Sequence, residues 1–254
     1  MKIVISGDWH LGAIVGGWDM HNDIMRVAKE VVLATHNADL FVLPGDLFHH
    51  PRPIPRAYAA AIELLDGVGC PFVVMSGNHD AGTGFFKGEE GELIPFPDAL
   101  EPLRKINFRA ESRFLELPSH IPLDRCLDLS RTEDGVFSFI GHVSDALARH
   151  VSDGKLGAQE YIDKSFEEAR AVKARAVFSH LNVDGARGGS EESFLIGGDL
   201  RMPLSIAKEL PCPVFNSHIH RRQELPPNIH MPGSIIPTDF GDRDGNKGYL
   251  TVEL

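Results

Sequence analysis

The sequence is short of cysteine, of basic residues relative to acidic ones, and of long apolar runs, and each shortage excludes a class of protein. Its three cysteines, Cys70, Cys126 and Cys212, are scattered without CxxC spacing, which argues against a disulfide-rich secreted scaffold and a cysteine-bound zinc. No apolar stretch reaches the roughly 18 residues of a membrane-spanning helix. The apolar run at residues 3–5 is too short for a signal-peptide core. We therefore expect a cytoplasmic protein without membrane contact.

The charge balance limits how the chain can meet nucleic acid. Acidic residues number 36 against 25 basic ones, giving a net charge of −11, so the surface should repel a polyanion at long range. Any such contact must use local basic groups. A hydrophobic fraction of 43% and a length of 254 residues, without repeats or a long linker, predict a single domain over residues 1–254 with one continuous core.

Five times along the chain, a short β-rich apolar run ends and a polar residue able to bind metal follows. Helix-like segments at residues 18–36 and 55–68 separate the first three runs. This β-α-β-α-β order predicts a largely parallel sheet, in which the carboxyl ends of the strands share one edge. The polar residues expected at that edge are Asp8 and His10, Asp46, Asn78, His180, and His218 and His220.

These seven residues form a mixed oxygen and nitrogen ligand set, which suits manganese, iron or zinc better than calcium. The i,i+2 spacing of Asp8 and His10, and of His218 and His220, places both side chains of a pair on the same side of extended backbone. Seven ligands exceed the needs of one tetrahedral ion but suit two ions that share a carboxylate and activate hydroxide for attack on phosphorus. The pattern predicts two divalent transition-metal ions and phosphoester hydrolysis.

The motif series resembles the calcineurin-like metallophosphoesterase superfamily. It consists of Asp8-x-His10, Gly45-Asp46, Gly-Asn-His-Asp at residues 77–80, His180, and His218-x-His220, in family order. The runs DWHLG at 8–12, GDLFH at 45–49 and PGS at 232–234 are most similar to SbcD-type DNA double-strand-break repair nucleases. The resemblance implies an α/β fold with a layered β-sheet core flanked by helices. It also implies a manganese-dependent DNA exonuclease or endonuclease.

The resemblance also implies a role for each matching residue. It assigns Asp8, His10 and His220 to one ion, Asn78, His180 and His218 to the other, and Asp46 to the bridge between them. His79 would stabilise the transition state or protonate the leaving oxygen, and Asp80 would orient it. His49 matches a histidine that assists the same step.

Other features bear on partners. Ser217 stands where the family usually has glycine, and the residues after His220 show no capping domain or partner-binding helices, which leaves an ATPase partner in doubt. Residues 57–65 are alanine-rich, and the resembling nucleases dimerise near here, although packing on the chain's own sheet is the alternative. DNA would be bound through rim arginines, which are equally well explained as solvated loop charge: Arg52, Arg187 and Arg222.

Two other functions stay open. A small-molecule phosphodiesterase or phosphatase, acting for example on a cyclic nucleotide, suits the acidic charge and the missing capping domain. The other is a non-catalytic interaction module that retains the fold without the activity. Histidines outside the motifs, His142 among them, are expected at the surface or in packing.

Overall fold

The computed structural model describes residues 1–82, 85–89, 93–106, 108, 131–132, 135–188, 200–238, 242 and 246–254. Cys126 lies outside these residues, and Cys70 and Cys212 are buried free thiols. The strands are β1 (Lys2–Ile5), β2 (Ile14–Val15), β3 (Trp18–Asp19), β4 (Leu40–Pro44), β5 (Phe72–Met75), β6 (Phe85–Lys87), β7 (Leu93–Pro95), β8 (Arg131–Thr132), β9 (Gly135–Ile140), β10 (Ala176–His180), β11 (Val214–Ser217), β12 (Gln223–Leu225), β13 (Ile229–Met231) and β14 (Leu250–Glu253). The helices are α1 (His21–Thr35), α2 (Pro55–Asp66), α3 (Glu101–Arg104), α4 (Asp145–Val151), α5 (Ala158–Ala171) and α6 (Leu204–Glu209).

The strands form two main sheets, which confirms the layered β-sheet core that the resemblance implies, whereas the order of elements suggested one largely parallel sheet. The first sheet has the order β14-β1-β4-β5, and the second has the order β12-β13-β11-β10-β9-β8. In each sheet the central strands are parallel and an antiparallel strand closes an edge. The expected parallel β-α-β-α-β unit is present as β1, α1, β4, α2 and β5.

The apolar core has three layers. Alternate residues of a strand point to opposite faces of its sheet, so each sheet has apolar side chains on both faces, and the two sheets share the layer between them. Val4, Phe41 and Val74 face the outer layer, which α1 and α2 cover. Ile5 and Phe178 lie in the middle layer between the two sheets. A third layer joins the second sheet to α4, α5 and α6. The order of layers is therefore helix, sheet, sheet, helix, and the expected single core is divided by the two sheets.

The alanine-rich face of α2 packs inside the chain. Ala57, Ala60, Ala61, Leu64 and Leu65 are buried in the layer between this helix and the first sheet. Small side chains let the helix approach the sheet closely. The alternative of packing on the chain's own sheet is therefore the one observed for this face, which is not available for a dimer contact.

The first helix begins later than the sequence pattern predicts. Trp18 lies in β3, which pairs with β2 in a hairpin, and α1 starts at His21. The turn between these strands is Gly16-Gly17, and both glycines have positive φ, as a two-residue hairpin turn requires. This local turn chemistry overrides the helical pattern at residues 18–20. Among the described helices, none is long and apolar enough to cross a membrane.

Candidate metal centre

Five strand-end loops bring the predicted residues together. Three of these loops follow β1, β4 and β5 of the first sheet, and two follow β10 and β11 of the second. Because the two sheets lie face to face with these carboxyl ends at the same side, both contribute to one cleft. Within the cleft, the predicted ligands sort into two groups around Asp46, and His49 and His79 form a third group with His10.

The first group contains Asp8, His10 and His220, whose ligand atoms all lie within 4.8 Å of one another. The three residues are buried. His10 Nε2 lies 3.0 Å from His220 Nε2, and Thr238 Oγ1 lies 2.7 Å from the other ring nitrogen of His220. With its Nδ1–H on Thr238, His220 presents an Nε2 lone pair to the cluster. These donors could hold one divalent ion.

The second group contains Asp46, His180 and His218, again with ligand atoms within 4.8 Å, and Asn78 lies against it. Asn78 Oδ1 is 2.9 Å from His180 Nε2 and 3.0 Å from His218 Nδ1. The other ring nitrogen of His180 points away from the group, and its Nδ1–H donates to the Pro44 carbonyl at 2.9 Å. Such outer hydrogen bonds fix the tautomer of a ligating histidine. This group could hold a second ion.

His218 is fixed in the same way by a residue of the second sheet. Its Nε2 lies 3.1 Å from Asn182 Oδ1 and donates to it, so Nδ1 faces Asn78. Its backbone N–H donates to the Asp8 carboxylate, at 3.1 Å to Oδ1. A carboxylate of the first sheet thereby anchors the loop of the second sheet.

Asp46 lies between the two groups. Its Oδ2 is 3.8 Å from His10 Nε2 and 3.3 Å from His180 Nε2, so one oxygen faces both. Its Oδ1 accepts a hydrogen bond from the His79 backbone N–H at 2.9 Å. Burial raises the pKa of this carboxyl, but the charge and hydrogen bond of His180 outweigh burial and hold the pKa well below its usual range. A charged carboxylate at this position suits a bridge between two cations.

Asp8 shows the opposite balance. Burial raises the pKa of its carboxyl to about 6, although His180 and His220 act to lower it. Burying a carboxylate is costly unless a cation offsets the loss of water. The donor set of buried carboxylates, an amide oxygen and imidazole nitrogens therefore fits two divalent metal ions.

The backbone turns sharply where it delivers these side chains. Asp8, His10, Asp46 and His218 have positive φ of 54°, 49°, 54° and 83°, a region that costs non-glycine residues conformational energy. At Gly77, a Cβ would overlap the Asp46 carboxylate, so only glycine allows the Asn78 loop to approach so closely. Local strain is thus accepted where ligands converge.

His79 and His49 lie together on the open side of the first group. Their rings stack with centroids 5.3 Å apart, and the His79 ring meets the His10 ring edge-on at 4.8 Å. His79 Nδ1 lies 2.8 Å from the His49 carbonyl and donates to it, which leaves Nε2 free to face a substrate. Burial, followed by the charge of His79, lowers the pKa of His49. Both rings are half-buried, so a ligand in the cleft can reach them.

The Asp80 carboxylate, which the resemblance assigns to orienting His79, contacts backbone groups in the structure. This buried carboxylate accepts hydrogen bonds from the backbone N–H groups of Leu47, Phe48 and Gly77, at 3.2, 2.9 and 3.0 Å. The His79 ring hydrogen bonds to the His49 carbonyl. Asp80 therefore ties the Asp46 loop to the Asn78 loop. This backbone role explains why a carboxylate stands at a position where burial raises its pKa to about 8.

The three predicted rim arginines are exposed. Within the described ranges, none of their guanidinium groups forms an ion pair with a carboxylate. Gln223 hydrogen bonds to the backbone of Arg187 at both N–H and carbonyl, which joins the loop after β10 to the turn that carries Arg222. Arg52 follows His49 in the loop after β4, with its backbone N–H on His50 Nδ1. The three side chains remain available to a ligand.

Three residues that the sequence did not single out hold His220 in place. Asp242 is 1% exposed, and its Oδ2 lies 3.5 Å from His220 Nδ1. Lys247 forms an ion pair with Asp242 and donates to the His220 carbonyl at 2.8 Å. Thr238 completes the group through its hydrogen bond to the His220 ring. Asp242 and Lys247 belong to a loop rich in both charges, where nothing in the sequence distinguishes a buried pair from solvated charge.

His142 is a second omission, and here a signal existed. It follows the end of β9, much as the predicted ligands lie at or just after the ends of their own strands. Burial, followed by the charge of His180, lowers the pKa of His142 to about 4. The same strand-end pattern is present at residues 136–142, where His142 comes two residues after the apolar run.

The chain is similar in sequence to known phosphoesterases and nucleases. The family model described as calcineurin-like phosphoesterase matches residues 1–222. The SbcD component of the SbcCD nuclease from Rhodobacter capsulatus is 26% identical over 281 residues, and that from Staphylococcus epidermidis is 21% identical over 265 residues. In both cases the alignment covers 100% of this chain and 66% of the relative. The chain therefore spans slightly less than two thirds of the length of these relatives.

Among solved structures, a purple acid phosphatase from yellow lupin seeds aligns with a TM-score of 0.47 and 16% identity. The alignment covers 88% of this chain and 39% of the phosphatase.

Proposed function

The chain belongs to the calcineurin-like phosphoesterase family, whose members are metal-dependent phosphoester hydrolases, and on that premise we propose that it is a manganese-dependent DNA nuclease. The observation that carries the proposal is the convergence of two ligand groups on the Asp46 carboxylate. Asp8, His10 and His220 would hold one ion, Asn78, His180 and His218 the other, and Asp46 would bridge them. When bound, two such ions neutralise the phosphate and activate water for in-line attack.

The chain's own residues supply the proton to the leaving oxygen. In its protonated form, His79 keeps Nδ1–H on the His49 carbonyl and directs Nε2–H into the cleft. Transfer of the Nε2 proton to the leaving oxygen gives a neutral imidazole that keeps its hydrogen bond to His49. Because His49 stacks on His79, it limits rotation of that ring. A proton donor held in this way contributes about 10²–10⁴-fold to rate.

DNA is favoured over a small substrate by three observations. The relatives from the SbcCD nuclease align with the whole chain. The cleft is open enough to leave His49 and His79 half-exposed. The arginines at 52, 187 and 222 are exposed cations without a carboxylate partner in the described part of the chain, and could bind backbone phosphates bidentately.

The net charge of −11 favours the second candidate, a small-molecule phosphodiesterase. The acidic surface repels a cyclic nucleotide, which carries one phosphate, much less than it repels a DNA duplex. The two candidates therefore differ in the number of phosphates that are bound, and salt distinguishes them. DNA affinity should fall steeply between about 50 and 200 mM salt if several arginine–phosphate contacts form.

The test is a manganese-supplemented assay with linear duplex DNA, single-stranded DNA, a cyclic nucleotide and bis(p-nitrophenyl) phosphate. A DNA nuclease should cleave DNA at least as efficiently as the aryl diester, and Asp46→Asn should abolish both activities. Asp153→Asn is the matched control, because Asp153 is an exposed carboxylate with 88% of its side chain accessible. Cleavage of the cyclic nucleotide without cleavage of DNA would favour the second candidate.

Assembly is a separate part of the proposal. A homodimer and an ATPase partner rest on the motif resemblance alone, and α2 uses its alanine-rich face internally. We propose that the purified chain can bind and cut DNA without an ATPase. Light scattering of the same preparation measures its oligomeric state, and a strict need for an added ATPase subunit would contradict the proposal.

A further inference from the structure

His142 is held beside the second ligand group by the sheet register. In that register, β9 runs parallel to β10 with Ile140 beside Ser179. The residues after Ile140 therefore leave the sheet next to His180, which is the last residue of β10. This placement brings the backbone of His142 to the carboxyl-end edge where the ligands converge.

A backbone hydrogen bond also ties the loop after β9 to the first sheet. The N–H of His142 donates to the Ser76 carbonyl at 2.9 Å, and Ser76 lies two residues before Asn78. The approach is tight, because a Cβ built on Gly141 would lie 3.1 Å from the same carbonyl oxygen. His142 is thus attached to the Asn78 loop of the first sheet while it continues a strand of the second. Such a position is rigid.

The ring of His142 is near the ligands without being one of them. It interacts electrostatically with His180, Asp46 and His79. Yet it belongs to none of the groups whose ligand atoms lie within 4.8 Å of one another. Among the described residues, nothing forms a hydrogen bond to its ring nitrogens, and the side chain is half-buried. A half-buried imidazole without a protein partner is satisfied at low cost by a ligand that enters the cleft.

We propose that His142 is a further substrate contact, whose ring N–H donates a hydrogen bond to a non-bridging oxygen of a phosphoester group held beside Asp46, Asn78 and His180. The inference rests on the proposed function only in requiring a phosphoester, whether DNA or a small diester. The contact complements His79, which lies against His10 on the side of the first group. The phosphate would then be held from two sides of the cleft.

The test compares His142→Ala and His142→Asn with the wild-type chain loaded with manganese. Bis(p-nitrophenyl) phosphate reports kcat and KM, calorimetry reports the affinity for inorganic phosphate, and elemental analysis reports the number of ions per chain. His142→Ala should keep its ions, lose about 10–100-fold in kcat/KM and bind phosphate correspondingly more weakly, as expected for one hydrogen bond to a charged oxygen. His142→Asn retains an N–H donor and should recover part of both losses.

His150→Ala is the matched control, because His150 is an exposed histidine of α4 near the same loop. It should match the wild type in every readout. Three results would overturn the inference. The first is an unchanged kcat/KM and phosphate affinity in His142→Ala. The second is loss of an ion in that variant. The third is a loss of kcat/KM in His142→Asn equal to that in His142→Ala, accompanied by a lower melting temperature of the metal-free chain. If the wild type hydrolyses the aryl diester but not DNA, the nuclease proposal fails while the His142 inference stands. If it hydrolyses neither, phosphate calorimetry still decides the contact.

Discussion

Replacing Lys247 with methionine should weaken metal binding at the group that contains His220, although Lys247 is not itself a candidate ligand. The Lys247 ammonium pairs with the Asp242 carboxylate and donates to the His220 carbonyl at 2.8 Å and to Ser234 Oγ at 2.9 Å. Asp242 in turn lies 3.5 Å from His220 Nδ1. Removing the ammonium therefore loosens both the backbone and the ring of His220.

The size of the destabilisation follows from the burial of the Lys247–Asp242 ion pair. The side chains are 13% and 1% exposed for Lys247 and Asp242, so water screens the pair little. Removing one partner of such a pair destabilises a protein by about 3 kcal/mol. For a chain of this size that corresponds to a fall of roughly 6–12 °C in melting temperature. Loss of support around a ligating histidine weakens metal affinity by about 10–100-fold.

The effect should also depend on pH. Burial raises the pKa of Asp242, but hydrogen bonds from His220 and Lys247 outweigh it, so the pKa lies below its usual value. A depressed carboxyl pKa contributes stability above the unfolded-state value, and that stability is lost as pH falls through the folded-state value. The difference in melting temperature between Lys247→Met and wild type should therefore be full at neutral pH and shrink in strong acid.

The assay combines thermal melting of the metal-free chain with manganese titration by calorimetry. Lys155→Met is the matched control, because Lys155 and Asp153 form an exposed pair at 3.8 Å with side chains 76% and 88% accessible. It should change neither readout. A melting temperature of Lys247→Met within about 2 °C of wild type, with unchanged manganese affinity, would refute the reasoning.

Three further predictions concern the two ligand groups. Asp46→Asn should weaken both ions and abolish turnover, measured as metal content beside rate, and near-normal turnover would contradict the bridging assignment. His79→Ala should keep two ions while turnover falls by about 10²–10⁴-fold, whereas His218→Ala should lose an ion and regain some activity in excess manganese. Loss of an ion from His79→Ala would instead make His79 a ligand. Manganese should support hydrolysis far better than magnesium, because imidazole nitrogens dominate the ligand set, and equal rates with the two ions would argue against this set.

The sequence could place the candidate ligands because their signal is local. Asp46 follows a short buried strand and His180 ends another, and parallel strands bring such ends to one edge. The division into two sheets could not be read in the same way. A buried run such as residues 174–178 has the same composition whichever sheet it joins, and the choice depends on packing between distant segments.

The residues that escaped prediction did so for physical reasons. Trp18 fits a helical pattern, and only the φ values of Gly16 and Gly17 reveal the hairpin. Asp242 and Lys247 look like solvated loop charge until burial is known. Hydrogen bonds to backbone groups, such as those of the Asp80 carboxylate to Leu47 and Gly77, do not depend on the identity of the backbone residue, so the sequence does not reveal them.

The middle apolar layer has a consequence for the chemistry of the cleft. Each ligand group draws residues from both sheets: Asp8 and His10 face His220, and Asp46 faces His180. The separation of the sheets therefore sets the distances between the donor atoms of both groups. That separation is maintained by the apolar side chains between the sheets, including the stacked rings of Phe178 and Phe215, with centroids 5.5 Å apart. A larger or smaller side chain in this part of the hydrophobic core would therefore widen or narrow both groups together, and with them the size of ion that they would fit.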